Sequence, residues 1–161
     1  MITVLMGVVG SGKTTVGSLL ANELGWQFAD ADDYHPPSNV EKIRQGIPLT
    51  DADRGPWLSQ LAAKIAEWNK AGINAVLACS ALKESYRRQL AVVGGVRFVY
   101  LKGSHEQIAE RLRSRRDHFA DAKILASQFA DLEEPTDAIA VDISKSPAEI
   151  VTQIQQELDV R

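Results

Sequence analysis

The chain has 161 residues, 45% of them hydrophobic and 24% charged, the size and make-up of one globular domain with one core. A net charge of −3 and a pI near 5.6 argue against the basic surface that binding nucleic acid requires. No apolar stretch approaches the roughly 20 residues of a membrane span. Cys79 is the only cysteine, which excludes an intrachain disulfide and a cysteine-cluster metal site and makes a reducing cytoplasm the expected setting.

The N-terminal residues run directly into an apolar, partly β-branched segment, Ile2–Met6, with no basic region or cleavage site before it, so a buried strand is expected and no leader. Residues 7–14 read Gly-Val-Val-Gly-Ser-Gly-Lys-Thr and satisfy every fixed position of G-x-x-x-x-G-K-[ST]. Apolar residues then recur at Val16, Leu19, Leu20 and Leu24, the spacing of a helix. Strand, glycine loop and helix are what phosphate binding needs. The glycines let backbone N–H groups turn toward an anion, and the helix N-terminus adds partial positive charge. Backbone and side chains of Gly7, Val8, Val9, Gly10, Ser11, Gly12, Lys13, Thr14 and Thr15 are therefore candidates for binding ATP. Lys13 is placed to reach the outer phosphates, and the Thr14 hydroxyl to ligate Mg²⁺.

Further along, Trp26–Ala29 reads as a second strand ending in the acidic cluster Asp30, Asp32 and Asp33. Ser38-x-x-Glu41 has the spacing of a capping box opening a short helix that stops near Gly46, followed by a polar loop, Ile47–Gly55. Leu58, Leu61, Ile65 and Trp68 share one face of the next helix, which ends near Gly72. Ile73–Cys79 is a wholly apolar third strand, Leu82–Val93 a helix and Val96–Leu101 a fourth strand. Ser104 caps a helix through about Arg116 with Ile108 and Leu112 facing inward, and another helix covers Ala122–Leu132. Ala138–Ile143 is the fifth strand, and Pro147 opens a last helix with Ile150, Ile154 and Leu158 on one side. Strand and helix alternate throughout. The expected fold is therefore α/β, a three-layer doubly wound domain on a five-stranded parallel sheet, with its ligands at the carboxyl ends of the strands. Residues 33–56 form one insertion and a lid lies near 113–126.

Several groups gather around that edge. If the extended geometry persists, alternation puts the Asp30 and Asp32 carboxylates on the same side, beside the metal and the transferred phosphate. One would accept a proton from a substrate hydroxyl and the other orient a metal-bound water; Asp32, further into the cleft, is the better base. His35, three residues on, suits a donor to a hydroxyl or carboxylate, or is an ordinary loop histidine. Arg54 has the planar fork that grips carboxylates, whereas Arg44 fits a surface ion pair. Ser80 and Lys83 follow the third strand, where many phosphate-loop proteins place an acidic residue; Asp30, Asp32, water or the Ser80 hydroxyl must then take that part. Cys79 fits a small buried apolar residue. Arg111 and Arg115 lie four apart in a run of four arginines at 111–116 and share a helix face, suited to charge developing in phosphoryl transfer. With Asp117 and His118 they would form a lid that excludes water. Lys145 and Pro147, after the fifth strand, either touch an adenine base or only form a helix-capping turn.

Four blocks carry a family resemblance: M-G-V-V-G-S-G-K-T-T from residue 6, D-A-D-D-Y-H-P at 30–36, N-V-E-K-I-R-Q-G-I-P-L-T-D-A-D-R-G-P-W-L at 39–58 and C-S-A-L-K-E-S-Y-R at 79–87. The chain resembles the small bacterial-type gluconokinases, in the shikimate kinase-like and nucleoside monophosphate kinase-like group of phosphate-loop folds. The first block is shared by many unrelated ATPases; the other three are far more specific. R-L-R-S-R-R-D-H-F at 111–119 is similar to the family lid, and its spacing is similar to that of adenylate kinases, which implies Arg111 against adenine and Arg115 on the phosphates. The resemblance implies transfer of the ATP γ-phosphate to the 6-hydroxyl of D-gluconate, giving 6-phosphogluconate for the pentose phosphate pathway. It also implies Mg²⁺ dependence, a cytoplasmic setting and a homodimer. Arg54, His35 and Lys83 would meet the gluconate carboxylate, Asp32 and Ser80 its hydroxyls, and His118 belongs to the acceptor side of the lid. The alternatives that the residues leave open are a related kinase with another acceptor and a nucleotide-dependent switch.

Lys13→Ala is expected to nearly abolish phosphoryl transfer in a protein that still folds, because Lys13 belongs to a surface loop. Loss of one transition-state contact of this kind costs on the order of 2.7–4 kcal/mol. Turnover and the far-UV circular dichroism spectrum of the purified variant check both halves of the expectation.

Overall fold

A computed structural model describes residues 1–114 and 118–161, with side chains described for 1–114 and 122–161. Five strands, β1 (Ile2–Met6), β2 (Gln27–Asp30), β3 (Ala75–Ala78), β4 (Val96–Lys102) and β5 (Ile139–Asp142), form one sheet in the order β2-β3-β1-β4-β5. Every pairing in it is parallel. The helices are α1 (Lys13–Leu24), α2 (Pro37–Arg44), α3 (Asp51–Ala71), α4 (Glu84–Leu90), α5 (His105–Arg113), α6 (His118–Asp131) and α7 (Pro147–Leu158), with a 3₁₀ turn at Ala31–Tyr34.

The central strand shows why both faces must be covered. All five residues of β1 are buried. Their side chains alternate, Ile2, Val4 and Met6 joining Leu58, Leu61, Ile65 and Trp68 of α3, while Leu5 packs with Val16 and Leu20 of α1 and Ile150 and Ile154 of α7. This is the doubly wound, three-layer fold that alternating strands and helices imply. The phosphate loop leaves the carboxyl end of β1, at the centre of that edge.

Most elements fall where the periodicity places them, with three differences of consequence. The second strand starts one residue later than expected, because Gly25 ends α1 in the left-handed region at φ 69° and Trp26 N–H is spent on the Ala21 carbonyl 2.9 Å away. The strand therefore includes Asp30, and the chain turns into the 3₁₀ segment at Ala31, so strand alternation is not what brings Asp30 and Asp32 together. Ser38 forms no cap either: α2 opens on Pro37, whose fixed φ suits the first helical position, and its N-cap is Pro36. The third difference is the start of α3. Gly55 and Pro56 look like the end of a loop, yet the helix begins at Asp51 and contains both. A capping box explains it. Thr50 Oγ1 accepts from Asp53 N–H at 3.1 Å, and Asp53 returns a carboxylate oxygen to Thr50 N–H at 2.9 Å. Pro56 then forgoes the bond to the carbonyl four residues back, a loss confined to the beginning of a 21-residue helix. Other shifts are fraying at ends: β3 and α4 are shorter than expected, and α5 stops at Arg113 rather than about Arg116. Ser104 and Ser146 both close capping boxes, with Gln107 and Glu149.

Thr50→Ala removes the hydroxyl half of the box that starts α3, and the expected loss is about 0.5–2 kcal/mol of unfolding free energy. Urea unfolding should show a lower midpoint with an unchanged m-value.

Candidate active site

The loop from Gly7 to Gly12 turns on glycines at left-handed φ, 81° at Gly10 and 98° at Gly12. No side chain caps α1 at Gly12, and the first turn of the helix holds no acidic residue. Its N–H groups thus remain available to an anion. Lys13 Nζ donates to the Gly7 and Val8 carbonyls at 3.0 Å each, lying back along its own loop. Gly7, Val8 and Ser11 form the buried underside of the loop, while Val9, Gly10, Gly12, Lys13, Thr14 and Thr15 face a cleft of about 210 Å³.

Opposite the loop, β2 delivers its last residue. Thr14 Oγ1 donates to Asp30 Oδ2 at 2.7 Å, and the second Asp30 oxygen accepts Asp32 N–H at 2.9 Å. One carboxylate therefore holds the first helical hydroxyl and starts the 3₁₀ turn that carries Asp32. Burial against the surrounding protein pushes the Asp32 carboxyl above the usual range, and the neighbouring Asp30 adds to this against the opposing pull of Lys13. These hard oxygen donors, Thr14, Asp30 and Asp32, line one cleft.

His35 lies flat on Trp57, with ring centroids 4.2 Å apart and planes 12° from parallel. Trp57 is itself anchored by Nε1–H on the Ala31 carbonyl at 2.7 Å, and Asn39 Nδ2 lies 3.2 Å from His35 Nδ1. Burial, helped by the charge of Arg54, lowers the His35 pKa to about 4, so the ring is neutral near pH 7. Arg54, only 7% exposed, enters the same cleft from the first turns of α3. Its Nη1 donates to Tyr86 Oη at 3.0 Å and to Asp131 Oδ2 at 2.9 Å. Tyr86 in turn donates to Asp51 through a short hydrogen bond. Ser80 completes the wall, and its carbonyl accepts Gly7 N–H at 3.3 Å. The turn after it is unusual: buried Ala81 sits at φ 45°, pinned by buried Arg87, whose Nη1 donates to the carbonyls of Ala81 and Leu82 at 2.8 and 3.1 Å.

Not every expected residue joins this group. Lys83 does not line the cleft; its ammonium pairs with Asp51 at 2.9 Å, because the α3 capping geometry places that carboxylate beside it. Lys145 likewise lies apart, donating to Gln153 Oε1 at 3.0 Å, and Pro147 opens α7 behind the Ser146 cap. Arg111 ties the underside of the loop to the segment after β5, donating to the Ser11 carbonyl at 3.5 Å and to the Ile143 carbonyl. Arg115 lies outside the described residues, and His118 opens α6 with its side chain outside the described ones. Arg44 forms an exposed pair with Glu41, and Cys79 is buried, its thiol pushed up to about 12 by burial. Among the described residues no group of three or more His, Cys, Asp or Glu side chains is arranged around a metal position. Sequence reasoning missed Trp57, Tyr86, Asp131 and Gln128. Gln128 Oε1 accepts Val9 N–H at 2.7 Å. The available signal was the helix read at 122–132: Ile124, Gln128 and Asp131 are spaced four and three apart, one face of α6.

The family model described as shikimate kinase matches residues 9–159. A protein named probable gluconokinase in Xenopus tropicalis is 44% identical over 99% of this chain and 94% of its own length. The gluconokinase of Gluconobacter oxydans (strain 621H) is 48% identical over 94% of this chain and 87% of its own. The crystal structure of a gluconokinase from Sinorhizobium meliloti 1021 superposes with a TM-score of 0.84 at 38% identity, covering 98% of this chain and 94% of that one.

The neutral His35 has a consequence for stability. Its folded pKa of about 4 lies below its ordinary 6.5, so between those values the unfolded chain binds a proton that the folded one does not. The stabilisation is complete above pH 6.5 and is lost as pH falls toward 4. Denaturant unfolding across that window should show this loss, and the pH dependence should be shallower in His35→Gln.

Proposed function

This chain belongs to the shikimate kinase family, in its gluconokinase branch, and from that membership we propose that it transfers the γ-phosphate of ATP to the 6-hydroxyl of D-gluconate, giving 6-phospho-D-gluconate and ADP. The observation that carries the reading is one cleft lined by a phosphate loop, an acid pair at the end of β2 and a buried guanidinium. A phosphoryl donor, a proton acceptor and an anchor for a carboxylate are what phosphorylation of a sugar acid requires.

In this reading the loop N–H groups and the N-terminus of α1 hold the triphosphate, and Lys13 exchanges the Gly7 and Val8 carbonyls for the outer phosphates. The residues fit Mg²⁺, which favours oxygen ligands and retains waters: Thr14 would bind it, with Asp30 or Asp32 directly or through water. Bound there, Mg²⁺ would neutralise charge on the phosphates. Asp32, its basicity raised by burial, takes the proton of the 6-hydroxyl. The hydroxyl oxygen forms its bond to the γ-phosphorus as the bond from that phosphorus to the bridging oxygen breaks, and the electron pair leaves with ADP. Arg54 pairs with the gluconate carboxylate, while neutral His35 and Ser80 meet hydroxyls. Lys83 supports the anchor indirectly, through Asp51 and Tyr86. Residues 33–56 form the acceptor-binding insertion, and the segment around 113–126, with Arg111, Arg115 and His118, the lid. Lys145 and Pro147 border the adenine.

Family membership supports a homodimer and a cytoplasmic setting. The single buried thiol fits a reducing compartment, and among the described residues no helix is long and apolar enough to cross a membrane. A coupled ADP-release assay across gluconate, shikimate, other sugar acids and AMP tests the acceptor; rapid turnover of another acceptor in preference to gluconate overturns it.

Asp32→Asn keeps size and hydrogen bonding but removes the proton acceptor. The expected loss is roughly 10²–10⁴-fold in kcat for gluconate, with nucleotide affinity little changed. Titrating Mg²⁺ separates the roles: recovery at high Mg²⁺ assigns Asp32 to the metal, and persistence of the loss assigns it to the proton.

A further inference from the structure

Gln128 stands on the face of α6 that borders the cleft, 119 residues from the loop residue it touches. Its partner, Val9 N–H, can only donate, so the carboxamide atom 2.7 Å away is the oxygen. That contact settles which way the amide lies. The nitrogen, with its two N–H groups, is the remaining polar end, and among the described residues it has no hydrogen-bond partner. Several of its neighbours in this wall are held within the protein: Asp30 by Thr14 and Asp32, Arg54 by Tyr86 and Asp131, His35 beside Asn39. The peptide that holds Gln128 also holds Lys13, since the Val8 carbonyl of that same planar unit accepts Lys13 Nζ at 3.0 Å. One rigid group thus sets the carboxamide relative to the lysine and the loop.

We propose that Gln128 is a further catalytic residue: with its oxygen held by Val9 N–H, its amide nitrogen donates to an oxygen of the phosphoryl group in transit. The proposal rests on the kinase reading above. A donor fixed by the phosphate loop itself needs no reorganisation as negative charge spreads over the equatorial phosphoryl oxygens. It differs from a structural pin in one testable respect: a pin needs only the oxygen, the catalytic role needs the nitrogen.

Gln128→Glu and Gln128→Leu separate the two. Glu keeps an acceptor for Val9 N–H and nearly the same shape but has no N–H donor, and its added negative charge is read separately as a rise in the ATP KM; Leu has neither donor nor acceptor and no charge. Both are expected to lower kcat and kcat/KM for gluconate together, by about 10²-fold, while the Glu variant retains the wild-type thermal midpoint. If Glu turns over within a few-fold of wild type and only Leu is impaired, Gln128 is a pin and the proposal is overturned. A rise confined to the gluconate KM also overturns it, by moving Gln128 to the acceptor. Should Glu fail to fold, ATP affinity in the Leu variant decides: a kcat loss with wild-type ATP affinity supports the transition-state donor, whereas a matching loss of ATP affinity marks a displaced loop and overturns the proposal. If the wild type phosphorylates no gluconate in the same assay, the substrate reading falls and this proposal with it; if it does and both variants match it, only the assignment of Gln128 fails.

Discussion

The buried guanidinium of Arg54 is the constraint around which one wall of the cleft is organised. A charge taken this far from water is destabilising unless it is paired and hydrogen-bonded, so its partners must be held in place by the fold. They come from two other helices: Tyr86 from α4 and Asp131 from the end of α6. Tyr86 is in turn tied to Asp51 in the first turn of α3, and Asp51 to Lys83. Three helices far apart in the chain thereby meet at one side chain, and the Arg54 cation faces the cleft with its hydrogen-bond geometry already set.

The sheet order explains why this guanidinium looks across at a phosphate loop. With β1 in the middle and β3 and β4 on either side, the loop after β1 opens at the point where the winding reverses. β2, beyond β3, brings Asp30 to the same edge, where it meets Thr14 of the helix that the loop begins. α6 closes the third side, touching the loop through Gln128 and the guanidinium through Asp131. One helix thus joins the phosphate loop to the buried guanidinium.

The loop, the alternation of elements and the inward faces of α3 and α7 were legible because each rests on short spacing: a motif of eight residues, or apolar side chains three and four apart. Asp30 and Asp32 were found for an incomplete reason. They share a cleft because the Asp30 carboxylate caps the turn carrying Asp32, a hydrogen bond that strand alternation does not describe. The start of α3 was missed because Gly55-Pro56 outweighs Thr50-x-x-Asp53 on propensity alone, although the capping box prevails in the folded chain. The partners of Arg54 lie 32 and 77 residues away, and that of Val9 lies 119 away. No local pattern encodes such contacts; they exist only once the helices are packed.

Ala81 bears on how this sequence is free to vary. Its backbone sits where a side chain is unwelcome, yet its methyl group is wholly buried, in the cluster with Leu77, Tyr86 and Leu90. Glycine would relax the backbone but leave a methyl-sized void and loosen the unfolded chain. A branched residue would clash with its own backbone, and any larger one would press into a closed core. Alanine is the compromise between two opposed demands, and Arg87, which holds both carbonyls of the turn, is bound to the same compromise. Drift at either position is therefore expected to be rare and correlated with change at the other, a signature that homologous sequences would carry even where the surrounding surface has diverged.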